Sequence, residues 1–218
     1  MKIEINVPTS LSEITLRQYQ KFLKIQENNP EGNFLDAKMI EIFCGIPLSD
    51  SYKLKMASVT AIIDILSELL SKTDTSHVER FKLYGVEYGF IPDLDELSLG
   101  EYIDLDNNAS KWDQMHVAMN VLYRPIKTSK VGKYNIEEYN VKNPEVLKDM
   151  PLSCAFGSLF FFYSLGLELS KHTILSSSNQ AEIKTIQDQL TSEQNGDGTH
   201  QFMDSLTEIL EGLRISLN

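Results

Sequence analysis

Apolar residues recur at intervals of three and four along much of the chain, the pattern of helices that bury one face. The clearest stripe lies in residues 59–70, where six aliphatic side chains share one side. Ser10 and Glu13 have capping-box spacing, which predicts a helix from there through Gln26; Ser98 and Glu101 repeat that spacing. Helices are also predicted over residues 34–44, 49–56, 99–122 with an interruption at 106–108, 144–150, 152–170, 183–190 and 202–215.

Period-two alternation is confined to short stretches. Residues 81–84 and 86–90 alternate around Gly85, which predicts a small β-hairpin. Alternation over residues 3–7 predicts a short strand, and the polar, basic residues 127–140 are expected to form a loop. The expected fold class is therefore mainly α, a helical domain with a small β-hairpin near residues 80–91.

The chain length of 218 residues suits one domain with extensions or two small domains. We expect residues 1–150 to form a helical core domain with the hairpin and the basic loop. Residues 151–218 are expected to form a C-terminal helical segment with flexible turns at 176–179 and 195–198. Residues 152–169 are aromatic-rich but contain Glu168 and are barely long enough to span a bilayer, so we expect a buried or interface helix and no membrane partner.

Charge is unevenly distributed in this acidic chain, whose 31 acids and 20 bases give a net charge of −11. Residues 93–113 hold seven acids and a single base, Lys111. The next bases are Arg124, Lys127, Lys130 and Lys133, with no acid between them. This polarity favours an isologous or head-to-tail contact between copies, with two solvated loops as the alternative. Because the whole chain repels phosphate, we expect the basic loop to contact an acidic neighbour and not DNA.

Two aromatic features are candidates for subunit contacts. Trp112, the only tryptophan, begins an apolar helix, where it either packs in the core or anchors an interface. Residues 160–163 are four consecutive aromatics, so one helix face cannot bury them all, and the helix is either central to the core or partly a docking surface. The predicted subunit-interface residues are Arg124, Lys127, Lys130, Lys133, Trp112, Phe160, Phe161 and Phe162.

The sequence contains no pattern that commits to catalysis or metal binding. Residues 104–108 (DLDNN) match the first ligands of a calcium loop, but Ala109 and Met115 stand where the loop needs glycine and glutamate. Cys44 and Cys154 are widely spaced in apolar surroundings, as buried thiols are. We therefore predict no catalytic residue, no metal and no cofactor. The abundant carboxylates leave an enzyme acting on nucleotides or glycans as a further hypothesis.

Three stretches resemble a family from large gut podoviruses of the crAss-like type. They are residues 11–23 (LSEITLRQYQKFL), 88–94 (YGFIPDL) with 100–105 (GEYIDL), and 112–126 (WDQMHVAMNVLYRPI), with weaker likeness up to Tyr139. The resemblance implies a virion structural protein, a ring or connector near the portal where the head meets the tail. It also implies an acidic channel for DNA passage during genome ejection.

The partners and location follow from the same resemblance. We expect other copies in a ring, the phage portal and tail proteins, and double-stranded DNA only as a passing, non-specific neighbour. The expected location is the virion, at the tail or head–tail junction, and the host cytoplasm during assembly. Residues 11–23 and the junction at Gly45 and Ile46 are also similar to siphophage tail assembly chaperones. A non-virion tail assembly chaperone is therefore the alternative function.

Overall fold

A computed structural model describes residues 5–71, 76–130, 132–141 and 143–176, with side chains up to Leu165 except Tyr163. Its helices are α1 Leu16–Gln26, α2 Asn33–Cys44, α3 Leu48–Ser51, α4 Met56–Ser71, α5 Leu99–Ala109, α6 Met115–Leu122 and α7 Leu152–Ser176. Its strands are β1 Arg80–Leu83, β2 Val86–Phe90, β3 Tyr123–Lys130 and β4 Lys133–Ile136. Short 3₁₀ turns occupy Leu11–Glu13, Leu94–Glu96, Trp112–Gln114 and Pro144–Asp149.

The four strands form one antiparallel sheet in the order β1-β2-β3-β4, which makes the fold mixed α and β. The expectation of a mainly α fold with a single small hairpin is wrong, because the hairpin β1–β2 is only half of the sheet. The predicted helix that includes Met115 ends at Leu122, just before Arg124 and Pro125, and Pro125 itself lies within β3, opposite Tyr88 at the last pair between β2 and β3. Its carbonyl accepts a hydrogen bond from the Glu137 N–H (2.9 Å), so the chain continues as a strand without a proline donor.

The segment expected to be a basic loop contains the second strand pair. In β4, Tyr134 and Ile136 are half-buried and alternate with the exposed residues Lys133 and Asn135. Four residues are too few for that alternation to stand out in the sequence. Tyr134 is held on the sheet because its hydroxyl donates to the Phe90 carbonyl (2.7 Å).

Glycine at position 89 makes room for that tyrosine. A Cβ atom there would lie 2.4 Å from the Tyr134 ring, so the ring covers bare backbone on β2. Arg80 on β1 adds a cation–π contact, with its guanidinium 4.3 Å from the centre of the same ring. One aromatic side chain of β4 therefore contacts both β2 and β1, on the far side of β3.

The hydrophobic core lies where α1, α6 and the first turns of α7 meet the sheet. The fully buried side chains include Leu16, Met115, Met119, Leu122, Tyr123 and Leu152.

 Leu159, on the second turn of α7, is 1% exposed and completes this set. The start of α7 is therefore part of the same core as the helices that precede the sheet, and residues 152–162 pack with the 1–150 segment.

Two helix boundaries differ from the predicted ones. The first long helix begins at Leu16 and not at Ser10, because Thr15 and Gln18 form the capping box (2.9 and 3.2 Å). The predicted box of Ser98 and Glu101 is confirmed at the start of α5. The interruption expected at residues 106–108 is wrong, since α5 runs unbroken to Ala109 and the Asn108 amide bonds back to the Asp104 carbonyl (2.6 Å).

Several predictions fall at the ends of the chain. The helices predicted at 183–190 and 202–215 and the turn at 195–198 lie outside the described residues, as does nearly all of the turn at 176–179. The strand predicted over residues 3–7 is not formed in its described part, residues 5–7. Of the described helices, none is both long and apolar enough to span a membrane.

Candidate interaction surface

An open cleft of about 690 Å³ lies between the end of β2, the start of α5 and the end of β4. Five carboxylates and one guanidinium line it: Asp93, Glu96, Glu101, Glu137, Glu138 and Arg124. We call this surface the acidic cleft. Its acids come from two separate parts of the chain. The β3–β4 pairing reverses the chain direction, so residues 137–139, which follow β4, lie next to the acidic segment that follows β2.

A buried ion pair forms the floor of the acidic cleft. Arg124 Nη1 lies 2.9 Å from Glu101 Oε1, and the two side chains are only 11% and 9% exposed. Glu101 also accepts hydrogen bonds from the Ser98 N–H (2.8 Å) and the Ser98 hydroxyl (2.6 Å), as the third residue of α5 does in a capping box. The pair therefore joins the start of α5 to the start of β3.

The Glu101 carboxyl is held in its ionised form. Burial raises its pKa, but the hydrogen bonds from Ser98 and the charge of Arg124 outweigh burial, and the pKa lies below its ordinary value. A carboxyl that acts as a general acid at neutral pH needs the opposite, a raised pKa. The environment of Glu101 therefore suits a structural carboxylate better than an acid catalyst.

The segment after β4 is attached to α5 by a tyrosine. The Tyr139 hydroxyl donates to Asp104 Oδ2 (2.8 Å), and burial together with this bond raises the pKa of Tyr139. The Arg124 guanidinium adds a longer contact to the Glu137 carbonyl (3.4 Å), while its Nε is buried without a hydrogen-bond partner. These contacts hold one wall of the acidic cleft in place.

An exposed apolar face of α5 borders the acidic cleft. Leu99, Tyr102 and Ile103 are 75%, 41% and 47% exposed, and their spacing places them on one side of the helix. Ser98 and Glu101, on the same helical turns, line the cleft itself. Apolar surface beside charged groups is the composition of a protein–protein interface with a polar rim.

The predicted basic residues are divided between two places. Arg124 lies in the ion pair with Glu101, whereas Lys127, Lys130 and Lys133 are exposed on the β3–β4 ribbon. We call Lys130 and Lys133, at the turn of that ribbon, the lysine tip. Six residues of strand separate Arg124 from Lys130, a distance of about 20 Å at the usual rise per residue.

The predicted aromatic residues lie in or against the core. Trp112 packs edge-on against Tyr19 (4.9 Å between ring centres) and against Phe156 (5.3 Å). Phe162 is 9% exposed, Phe161 is half-buried against Phe90, and Phe160 is half-buried. A contact with another subunit through Trp112 or these phenylalanines stays a prediction.

The described residues include no group of three or more histidine, cysteine, aspartate or glutamate side chains placed to hold a metal ion. Asp104, Asp106 and Asn108 lie on the straight helix α5, so their side chains do not wrap around a common centre as a calcium loop would. In the acidic cleft, repeated carboxylates with a single cation form a surface for a positively charged partner.

Glu137 and Glu138 are acids of this surface that the sequence did not single out. They follow three lysines in a segment that was expected to be a loop, and their return to the acidic segment depends on the β3–β4 pairing. In the sequence, the alternation of Tyr134 and Ile136 with polar residues is the signal of β4, and at four residues it is too short to stand out. No protein-family model, no curated protein and no solved structure matches this chain.

Proposed function

We propose that this chain is a structural subunit of a tailed-phage particle that forms or joins an oligomeric ring at the portal–tail junction. The observation that carries the proposal is the separation of charge on one rigid ribbon. The acidic cleft lies at one end of β3–β4 and the lysine tip at the other. Such a molecule has two different surfaces of complementary charge, one at each end of the ribbon.

The two charged surfaces neutralise each other only weakly inside one copy. Arg124 lies about 20 Å from Lys130 along β3, and Glu137 follows Lys133 by four positions, about 13 Å, so both distances exceed the Debye length of about 8 Å at physiological ionic strength. Complementary patches at opposite ends of a subunit produce head-to-tail contacts, which close into a ring when the rotation between copies is suitable. The exposed apolar face of α5 beside the acidic cleft supplies area that a second protein can bury.

The resemblance of residues 11–23, 88–94 with 100–105, and 112–126 to crAss-like phage proteins supports placing this assembly in a virion. The net charge of −11 supports a channel wall past which DNA moves without binding, because like charges repel. In this proposal the portal, the tail proteins and further copies of the chain are the stable partners. DNA is a passing neighbour.

Quantitative mass spectrometry of purified particles tests the proposal. We expect the chain in particles at a constant ratio to the portal protein, and a cyclic oligomer in electron micrographs of the purified chain or of disrupted particles. An abundant chain in infected cells that is absent from particles would reject the virion role in favour of a tail assembly chaperone. Mock-infected cells and particles washed in high salt control for adhering protein.

A further inference from the structure

The geometry points to a specific contact: we propose that the lysine tip of one copy binds in the acidic cleft of the next copy. This inference rests on the proposed ring and names the surfaces that hold its neighbours together. It commits to one occupant of the acidic cleft, a second copy of this chain, on the basis of charge complementarity.

The lysine tip carries an electrostatic conflict that a partner can relieve. Lys130 and Lys133 are direct cross-strand partners, and like charges placed opposite each other destabilise a strand pair. Both side chains are exposed, and neither forms an ion pair with any residue that the structure describes. An acidic partner would offset this repulsion.

The acidic cleft contains negative charges that are not neutralised by nearby cations. Asp93, Glu96, Glu137 and Glu138 form no ion pair within the described part of the chain, and the only cation among the lining residues, Arg124, is already paired with Glu101. Bringing ammonium groups into this cleft would neutralise carboxylates that otherwise repel one another. The cation must come from outside the cleft.

The shape of the ribbon end suits insertion. Lys130 and Lys133 are the last pair of the β3–β4 ribbon, and only two residues lie between them in the sequence. Gly132, with φ of +77°, adopts the left-handed conformation that favours glycine. The lysine tip therefore places two ammonium groups side by side at the ribbon end, and the cleft that would receive them is open, with a volume of about 690 Å³.

DNA is the less suitable partner for the lysine tip. Two or three lysines neutralise only a few phosphates, and the remainder of a chain with net charge −11 repels the polyanion. A second copy also offers carboxylates to the lysines, but its negative charges are much less densely spaced than the phosphates of duplex DNA, so it is repelled less strongly. The observations therefore favour another copy over nucleic acid.

Paired charge reversals test the contact. The tip variant is Lys130→Glu with Lys133→Glu, and the cleft variant is Glu137→Lys with Glu138→Lys. All four side chains are exposed, so the variants are expected to fold, which circular dichroism and thermal unfolding would check. The matched control is Lys21→Glu with Lys55→Glu, which changes the net charge as the tip variant does at two exposed lysines elsewhere.

Sedimentation of the full chain at physiological ionic strength gives the readout. We expect the wild type and the control to self-associate, and each reversed variant alone to associate roughly a hundredfold more weakly, because like charges then face each other. An equimolar mixture of the two variants should regain association, since every tip then meets a cleft of opposite charge. A monomeric wild type, unaffected variants or a mixture that stays monomeric would each overturn the proposed contact.

The outcomes also separate this contact from the ring itself. If the chain is a virion ring component and the reversals leave association unchanged, the contact is wrong and the proposed function stands. If the chain is absent from particles and the mixture regains association, the contact stands and the virion role is wrong. Loss of salt-sensitive DNA binding in the tip variant, with association intact, would assign the lysine tip to DNA and reject the contact.

Discussion

The ion pair of Glu101 and Arg124 gives the sharpest test of how the acidic cleft is built. We expect Glu101→Gln and Arg124→Met each to lower the free energy of unfolding by about 3 kcal/mol at neutral pH, because each leaves the other charge buried and unpaired. Glu101→Gln keeps an oxygen that can accept from Ser98, so it removes the charge while preserving the capping box.

The magnitude follows from distance and burial. At 2.9 Å, two unit charges attract by about 6 kcal/mol with an effective dielectric constant of about 20. Desolvation of two side chains that are 9% and 11% exposed offsets much of this attraction. Because the cleft is open to water, we take the low end of the usual range of about 3–5 kcal/mol for breaking a buried pair.

A double-mutant cycle measured by urea denaturation separates the pair from its surroundings. We expect the double variant to cost less than the sum of the single ones, with a coupling energy of about 2 kcal/mol. The fluorescence of Trp112, the single tryptophan, reports unfolding because its ring packs against Tyr19. Glu96→Gln, which changes an exposed acid of the same cleft, is the control and should stay within about 0.5 kcal/mol of wild type.

The pH dependence has a definite sign. Since folding lowers the pKa of Glu101, the carboxylate contributes its full stability above the ordinary pKa that it has in the unfolded chain, and it loses that contribution as the pH falls through its lower folded pKa. The difference between wild type and Glu101→Gln should therefore shrink in acid. A coupling energy below about 0.5 kcal/mol, or a difference that is the same at pH 7 and pH 3, would refute the reasoning.

Two further predictions concern the core and a partly exposed ion pair. Gly157→Ala should destabilise the fold by about 1–3 kcal/mol, because the new Cβ would lie 2.5 Å from the Ser76 carbonyl oxygen. Gly100→Ala is the control and should be neutral or stabilising, because no atom lies within 4 Å of the added Cβ. Equal effects of the two variants in thermal unfolding would contradict this prediction. Asp149→Asn should cost less than about 1 kcal/mol at neutral pH, since Arg17 is half exposed. Because the pKa of Asp149 is lowered by Arg17, that cost should disappear in acid, and a cost that persists in acid denaturation profiles would exclude the ion pair as its source.

Local patterns predicted the helices better than the sheet. The amphipathic stripe of residues 59–70 and the Ser98 capping box depend on neighbours in the sequence, and both lie on helices in the structure. Strand β4 depends instead on pairing with β3, across a turn at Gly132 that a single sequence does not distinguish from a loop. The missed second strand pair is the reason why the mainly α class was wrong.

The candidate surface was predictable in its charges and not in its arrangement. The acidic and basic runs are evident in the sequence. In the structure, however, Arg124 is separated from the three lysines of the basic run, because it lies at the start of β3 and pairs with Glu101. The acids Glu137 and Glu138 join the acidic segment only after the ribbon has turned back. A burial pattern restricted to four residues of β4 could not have revealed either displacement.

The charge arrangement also limits which encounters between copies are productive. Two copies that each carry a net charge of −11 repel at long range, so most relative orientations are unfavourable. The lysine tip is a small positive exception, and its attraction to an acidic cleft acts at short range, where salt screens it less than the long-range repulsion. In the proposed head-to-tail contact, net repulsion with one attractive orientation would suppress irregular aggregation. The excess of acid, which by itself would keep copies apart, would then contribute to the specificity of that proposed contact.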